Sequence, residues 1–167
     1  LLSLKSSLSV MQVIKILMFS ILILSLFLPW TGIYDLQKME VVKVQSLNVI
    51  DSLSFIKNTG RLAEYYPLAL LSVIAYLSSI VFMVLSLFWG DFSFAGGLLA
   101  IISANLWAQS LMIIRVMVFP HPAPGSPPMP SFSYAPYQPD VAVYMIAISG
   151  VVLVMMKIIG RLIHIFK

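Results

Sequence analysis

Apolar positions in this chain run in long uninterrupted blocks, and the polar side chains gather into two segments between them. Residues 16–29 are uncharged and mostly aliphatic, and Val10 to Ile14 extend the block to about 9–30 once Lys15 carries its ammonium to the interface. Residues 68–89 hold no charge at all; Pro67 precedes them at a favourable first-turn position, and Gly90-Asp91 follows. A third block covers about 94–118, with Arg115 close enough to its end to reach headgroups, and a fourth covers 141–160, with Lys157 near its end. A hydrocarbon layer about 30 Å thick takes roughly 20 apolar residues per helix. The pattern therefore predicts four transmembrane helices.

The first polar segment, 31–66, carries eight of the sixteen charged side chains, four of each sign. Val42 and Val44 alternate with Lys43 and Gln45, which predicts a short strand over 39–45. Asn48 stands three residues before Asp51 in an N-cap pattern, Val49, Leu53 and Ile56 share one helical face, and Asn58-Thr59-Gly60 supplies a stop. A short amphipathic helix over 49–58 follows. The second segment, 120–140, holds eight of the ten prolines, a density that excludes a regular hydrogen-bonded element and favours polyproline II. Phe132, Tyr134 and Tyr137 are interleaved with those prolines, so the segment is either a stiff spacer or a strap docked on a neighbouring subunit.

The expected fold is an all-α integral membrane protein forming a single polytopic domain over 1–167. It is a four-transmembrane-helix bundle with a small outer subdomain between helices 1 and 2 and a Pro-rich outer loop between helices 3 and 4. Composition agrees: the 167 residues are 60% hydrophobic and 10% charged, against about a quarter charged in soluble domains. The first block lacks a small-residue cleavage site and reads as a retained span. Lys5, Lys15, Lys157, Arg161 and Lys167 on one side outnumber Lys38, Lys43, Lys57 and Arg61 on the other, which favours cytoplasmic termini. The net charge of +4 is concentrated near the chain ends, as membrane anchors are, and no nucleic-acid partner is expected.

Candidate chemistry is sparse. No Asp or Glu lies inside a predicted span, which disfavours a carboxylate proton relay or a sodium site. His121 and His164 fall at opposite ends of the fold, so one chain lacks the two axial ligands of a bis-histidine haem. Without cysteine there are no disulfides or thiolate metal sites. No serine has a base beside it and no glycine-rich loop follows a strand. A non-enzymatic chain with no cofactor and no metal is expected.

What the spans do carry is packing. Gly96, Ala100, Ala104 and Ala108 recur every four residues on the third span, and Ser72, Ala75 and Ser79 make a similar line on the second, its natural intrachain partner. On another face Asn105, Gln109 and Met112 stack, with Trp107 near mid-membrane. The two amides need partners in hydrocarbon, whether across the bundle, between subunits or on a quinone, pigment or substrate. Lys157, Arg161 and His164 follow one another near the C-terminus and, with Lys167, are candidates for lipid headgroups.

A first span, a long loop opening Trp30-Thr31-Gly32 and three further spans resemble claudin-like four-span proteins in outline. The paired cysteines and the tryptophan-glycine-leucine-tryptophan signature of that outer loop are missing here, so the likeness lies in the order of elements alone. The leading expectation is a non-catalytic accessory or scaffold subunit of a larger membrane assembly, such as a respiratory-type complex or an envelope or virion lattice, with other membrane subunits and lipid as partners. The alternative is a small oligomeric channel or transporter in which Ser103, Asn105 and Gln109 face a shared pathway.

Overall fold

A computed structural model describes residues 10–37, 40–89, 91–118 and 131–165. In chain order it contains α1 (Val10–Ser25), β1 (Thr31–Gln37), β2 (Glu40–Leu47), α2 (Val49–Asn58), a 3-10 segment (Gly60–Tyr65), α3 (Tyr66–Phe88), α4 (Ser93–Met112), β3 (Val116–Val118), β4 (Phe132–Tyr134), β5 (Tyr137–Pro139) and α5 (Val141–Ile165). The chain is mostly helical. Three stretches, Gly60–Phe88, Ser93–Met112 and Val141–Leu162, are long and apolar enough to cross a membrane.

The first block is shorter than its sequence pattern. α1 has 16 residues, or roughly 24 Å of helix at 1.5 Å per residue, and the chain then leaves the helix through turns closed by Leu26 N–H to Ile23 O and Phe27 N–H to Leu24 O. Pro29 follows immediately. α1 packs against α3 and α5, α3 against α4, and α4 against α5. Outward-facing residues such as Leu71, Ile74, Leu77 and Val81 on α3 and Ile148, Val151, Met155 and Ile158 on α5 are all apolar and exposed. Faces of that width and composition mark contact with a membrane or with another protein.

Helices α4 and α5 approach closely at a pair of glycines. A Cβ at Gly97 would stand 2.9 Å from the Gly150 carbonyl oxygen, and one at Gly150 would stand 2.7 Å from the Gly97 carbonyl oxygen. Only hydrogen at both positions lets the two backbones meet. On its other flank α4 meets α3 through hydroxyls: Ser72 Oγ donates to Ser103 O at 2.7 Å and Ser79 Oγ to Gly96 O at 2.8 Å. Each hydroxyl thus satisfies itself on a neighbouring backbone, as a buried polar group in an apolar layer must.

The all-α expectation is corrected by a three-stranded antiparallel sheet ordered β2-β1-β5 and a separate β3-β4 pair. Two boundaries move with it. The third span stops at Met112 rather than 118, because Val116–Val118 turns out as a strand against Phe132–Tyr134. The Pro-rich segment, expected to carry no regular element, supplies β4 and β5 from its last ten residues. Pro139 is tolerated because β5 lies at the edge of the sheet, where its missing N–H faces no partner strand. The rest of that segment, 119–130, with His121, lies outside the described residues.

Of the strand expected over 39–45, residues 40–45 fall in β2, and Met39 lies outside the described residues. Helix α2 spans Val49–Asn58, with the Asn48 side chain accepting the Asp51 N–H at 2.9 Å; Gly60, at φ +35°, makes the left-handed turn that follows. The sheet, α2 and the 3-10 segment gather on one side of the helices, termed here the cap face. The α3–α4 connection defines the opposite, turn face.

Candidate functional site

At the cap face the helices and sheet are joined by an aromatic node. Trp30, Tyr76 and Trp107 are fully buried. The Trp30 ring meets Tyr76 edge-on at 5.1 Å and Trp107 edge-on at 4.9 Å between centroids. Trp30 Nε1–H donates to Ser25 O at 2.9 Å, the Tyr76 hydroxyl donates to Leu22 O and contacts Ser25 Oγ, and Trp107 Nε1–H donates to Trp30 O. Every polar atom of the three rings is used within the chain. Trp107, expected near mid-membrane, therefore sits under the cap, where α4 meets the segment leaving α1.

At the turn face a single carboxylate holds two helices. Asp91 Oδ1 accepts from Lys15 Nζ at 3.1 Å and from Ser93 Oγ at 2.6 Å, and Lys157 Nζ donates to Oδ2. Burial alone would push the Asp91 carboxyl up; the hydrogen bonds from Lys157, Ser93 and Lys15, with the Lys15 charge, outweigh it and hold the group well below the usual carboxylate range. Lys157, a lipid-headgroup candidate in the sequence, is thus engaged by a carboxylate of its own chain. Arg161 is exposed on α5, and Lys167 lies outside the described residues.

A second ion pair stands at the cap. Lys43 on β2 reaches Asp140, whose other oxygen accepts the Val141 N–H at 2.8 Å. Burial again pushes this carboxyl up, and the bonds from Lys43, the Val141 backbone and Ser46, together with the Lys43 charge, bring it below the usual range. The pair ties the sheet to the first turn of α5.

The small-residue line is inside the molecule. Gly96, Ala100 and Ala104 are buried, Ala108 is half-buried, and Ser72, Ala75 and Ser79 are buried opposite them on α3. Asn105 and Gln109 lie on a different face and are exposed; Gln109 Nε2 donates to Asn105 Oδ1 at 2.9 Å. Ser103 is buried against Ser72, so it shares no face with the two amides. Tyr137 packs edge-on against Phe55 at 5.3 Å and Tyr134 is half-buried on β4; the Phe132 side chain lies outside the described residues.

Sequence reasoning passed over Asp91, which looked like part of a turn. Its signal was its uniqueness: the four predicted spans would put Lys15, Lys157 and residue 91 at one side, with no other acid in the sequence there. It also passed over the free edge of β2. This strand ends the sheet, all but Leu47 of its residues are exposed, and Val41, Val42 and Val44 stand 42%, 39% and 57% open.

Among the described residues no three His, Cys, Asp or Glu side chains gather as metal ligands would. No family model matches this chain, and no curated protein or solved structure matches it either.

Proposed function

We propose that this chain is a non-catalytic accessory or scaffold subunit of a larger membrane protein assembly, with α1, α3, α4 and α5 crossing the bilayer as a four-span bundle and both termini on the cytoplasmic side. The observation that carries the reading is the open edge of β2. An edge strand with unpaired N–H and C=O groups and exposed valines is a template for another chain, and proteins that work alone blunt such edges. Of the two charges on the strand, Lys43 is drawn back to Asp140 and Glu40 stands at its first residue, so the valines between and beyond them are left open.

The amides of α4 support the same reading at membrane level. Asn105 and Gln109 bond to each other on an outward face, which leaves donors and acceptors for a helix of a second subunit. Lateral contact at both levels fits a subunit built into an assembly.

Purification in mild detergent with crosslinking tests the proposal. The native chain is expected to migrate with other membrane subunits, and Val42→Lys combined with Val44→Lys is expected to release it while its thermal unfolding is unchanged. A native chain that runs as a lone monomer and recovers no other protein would end the reading.

A further inference from the structure

Between the 3-10 segment and the chain just beyond α4 lies a cavity of about 420 Å³, lined by Arg61, Glu64, Tyr65, Ile113, Ile114 and Arg115. That volume falls in the range of about 300–1,000 Å³ typical of small-ligand sites. The ion pairs among the described residues are Lys15–Asp91, Lys157–Asp91 and Lys43–Asp140. Arg61, Glu64 and Arg115 therefore share one cavity without pairing with each other. Two guanidiniums and a carboxylate held close but apart leave room for a ligand that bridges them.

The position narrows the ligand. Arg61 and Glu64 stand in the turn that leads into α3, and Arg115 stands three residues past the end of α4. Both ends belong to the cap face, where the apolar helices give way to polar chain. Ile113, 47% exposed, and Ile114 add apolar surface to the lining beside that boundary. A charged group bound here sits at headgroup depth with a hydrocarbon surface beneath it.

We infer that this cavity binds a phosphate ester bearing a primary ammonium, the phosphoethanolamine head, with the phosphate on Arg61 and Arg115 and the ammonium on Glu64. Guanidinium forks match phosphate oxygens, and a carboxylate is the complement of an N–H donor. The single carboxylate discriminates. It disfavours a head that is purely anionic, and a trimethylated ammonium offers Glu64 no hydrogen to accept. The same head can come from a bilayer lipid or from a soluble ester, and the two isoleucines in the lining favour the lipid.

Native mass spectrometry of the full chain, released from detergent with added phosphatidylethanolamine, phosphatidylcholine or phosphatidylglycerol, tests the site. Phosphatidylethanolamine is expected to be retained best, and Arg61→Gln with Arg115→Gln to weaken it about 10- to 100-fold, the loss of charge-assisted hydrogen bonds. Glu64→Gln is expected to shift the preference toward phosphatidylglycerol while leaving the arginines in place. Free phosphoethanolamine is the control for source: weak binding assigns the site to the lipid, and binding as tight as the lipid's assigns the same chemistry to a soluble ester. Undiminished retention in the double arginine variant, or a native preference for phosphatidylglycerol or phosphatidylcholine, would overturn the proposal. All three substituted side chains are exposed, and thermal unfolding of each variant separates loss of ligand from loss of fold.

Discussion

Trp107 donates its indole N–H to the backbone carbonyl of Trp30 at 3.1 Å while the two rings meet edge-on, so one residue of α4 holds the segment that leaves α1. The same carbonyl also accepts the Asp140 N–H at 3.0 Å. Trp107→Phe therefore leaves it satisfied and should cost about 0.5–1.5 kcal/mol, one net hydrogen bond. Trp107→Ala opens a cavity as well and should cost about 3–5 kcal/mol. Denaturant unfolding in mixed micelles measures both, and equal losses would show that the ring is not packed as described.

The α4–α5 crossing makes a sharper contrast. Gly150→Ala places a methyl 2.7 Å from the Gly97 carbonyl oxygen, 2.8 Å from the Ile101 Cγ1 and 3.0 Å from the Ile101 nitrogen, so a shift of the Ile101 side chain alone would not relieve the two backbone contacts. A loss of about 1–3 kcal/mol is expected from overpacking. Gly160→Ala, one helix face away, meets only the Met11 methyl at 3.5 Å and should be neutral or slightly stabilising, since alanine is the better helix former. Similar melting temperatures for the two variants would contradict the close approach.

Acid should loosen the turn face. The folded Asp91 carboxyl titrates below its unfolded value, so its contribution is present above the unfolded value of about 4 and is lost as pH falls through the folded one. Its side chain is 37% exposed, and solvent screening keeps each lysine pair near the modest surface range of about 0.2–1 kcal/mol. Asp91→Asn is expected to melt lower than the native chain at pH 7 and to converge with it as pH drops below about 4. Parallel melting curves across that range would count against the clamp; Asp140, depressed in the same direction, is present in both proteins and cancels.

Asn105→Leu with Gln109→Leu separates fold from assembly. Both side chains point outward and bond to each other, so the isolated chain should change by no more than about 0.5 kcal/mol. Recovery of partner subunits should fall. Unchanged recovery would remove the membrane-level half of the proposed interface.

Three of the apolar blocks were legible because a run of about 20 apolar residues reads as a membrane-length helix without tertiary information, while the first overran α1, which ends at Ser25; α2 was legible because Asn48, Asp51 and Gly60 are local signals that need no tertiary information. The sheet was not. β1 reads Thr-Gly-Ile-Tyr-Asp-Leu-Gln without strict alternation, and its partner β5 is a proline-containing triplet far away in sequence; nothing local announces a pairing made between distant segments. The Arg115 side chain was read as a headgroup contact from its place near a span end, whereas its companions Arg61 and Glu64 became visible only once the turn before α3 was set beside the end of α4. Lys157 shows the same lesson in reverse: a cation near a helix end reads as a lipid anchor until an acid from another connection is brought to it.

The pairing of β5 with β1, sealed by Asp140 N–H to Trp30 O and Ala142 N–H to Pro29 O, orders events during synthesis. While the ribosome is still making α3 and α4, β1 has β2 on one side and nothing on the other. Its second edge closes only when Tyr137–Pro139 emerges, and the same closure sets the first turn of α5 against the segment that leaves α1. The cap is thus a late checkpoint: a nascent chain that stalls before Tyr137 exposes an open two-stranded ribbon on the cap face, the kind of surface that quality-control proteases and chaperones bind.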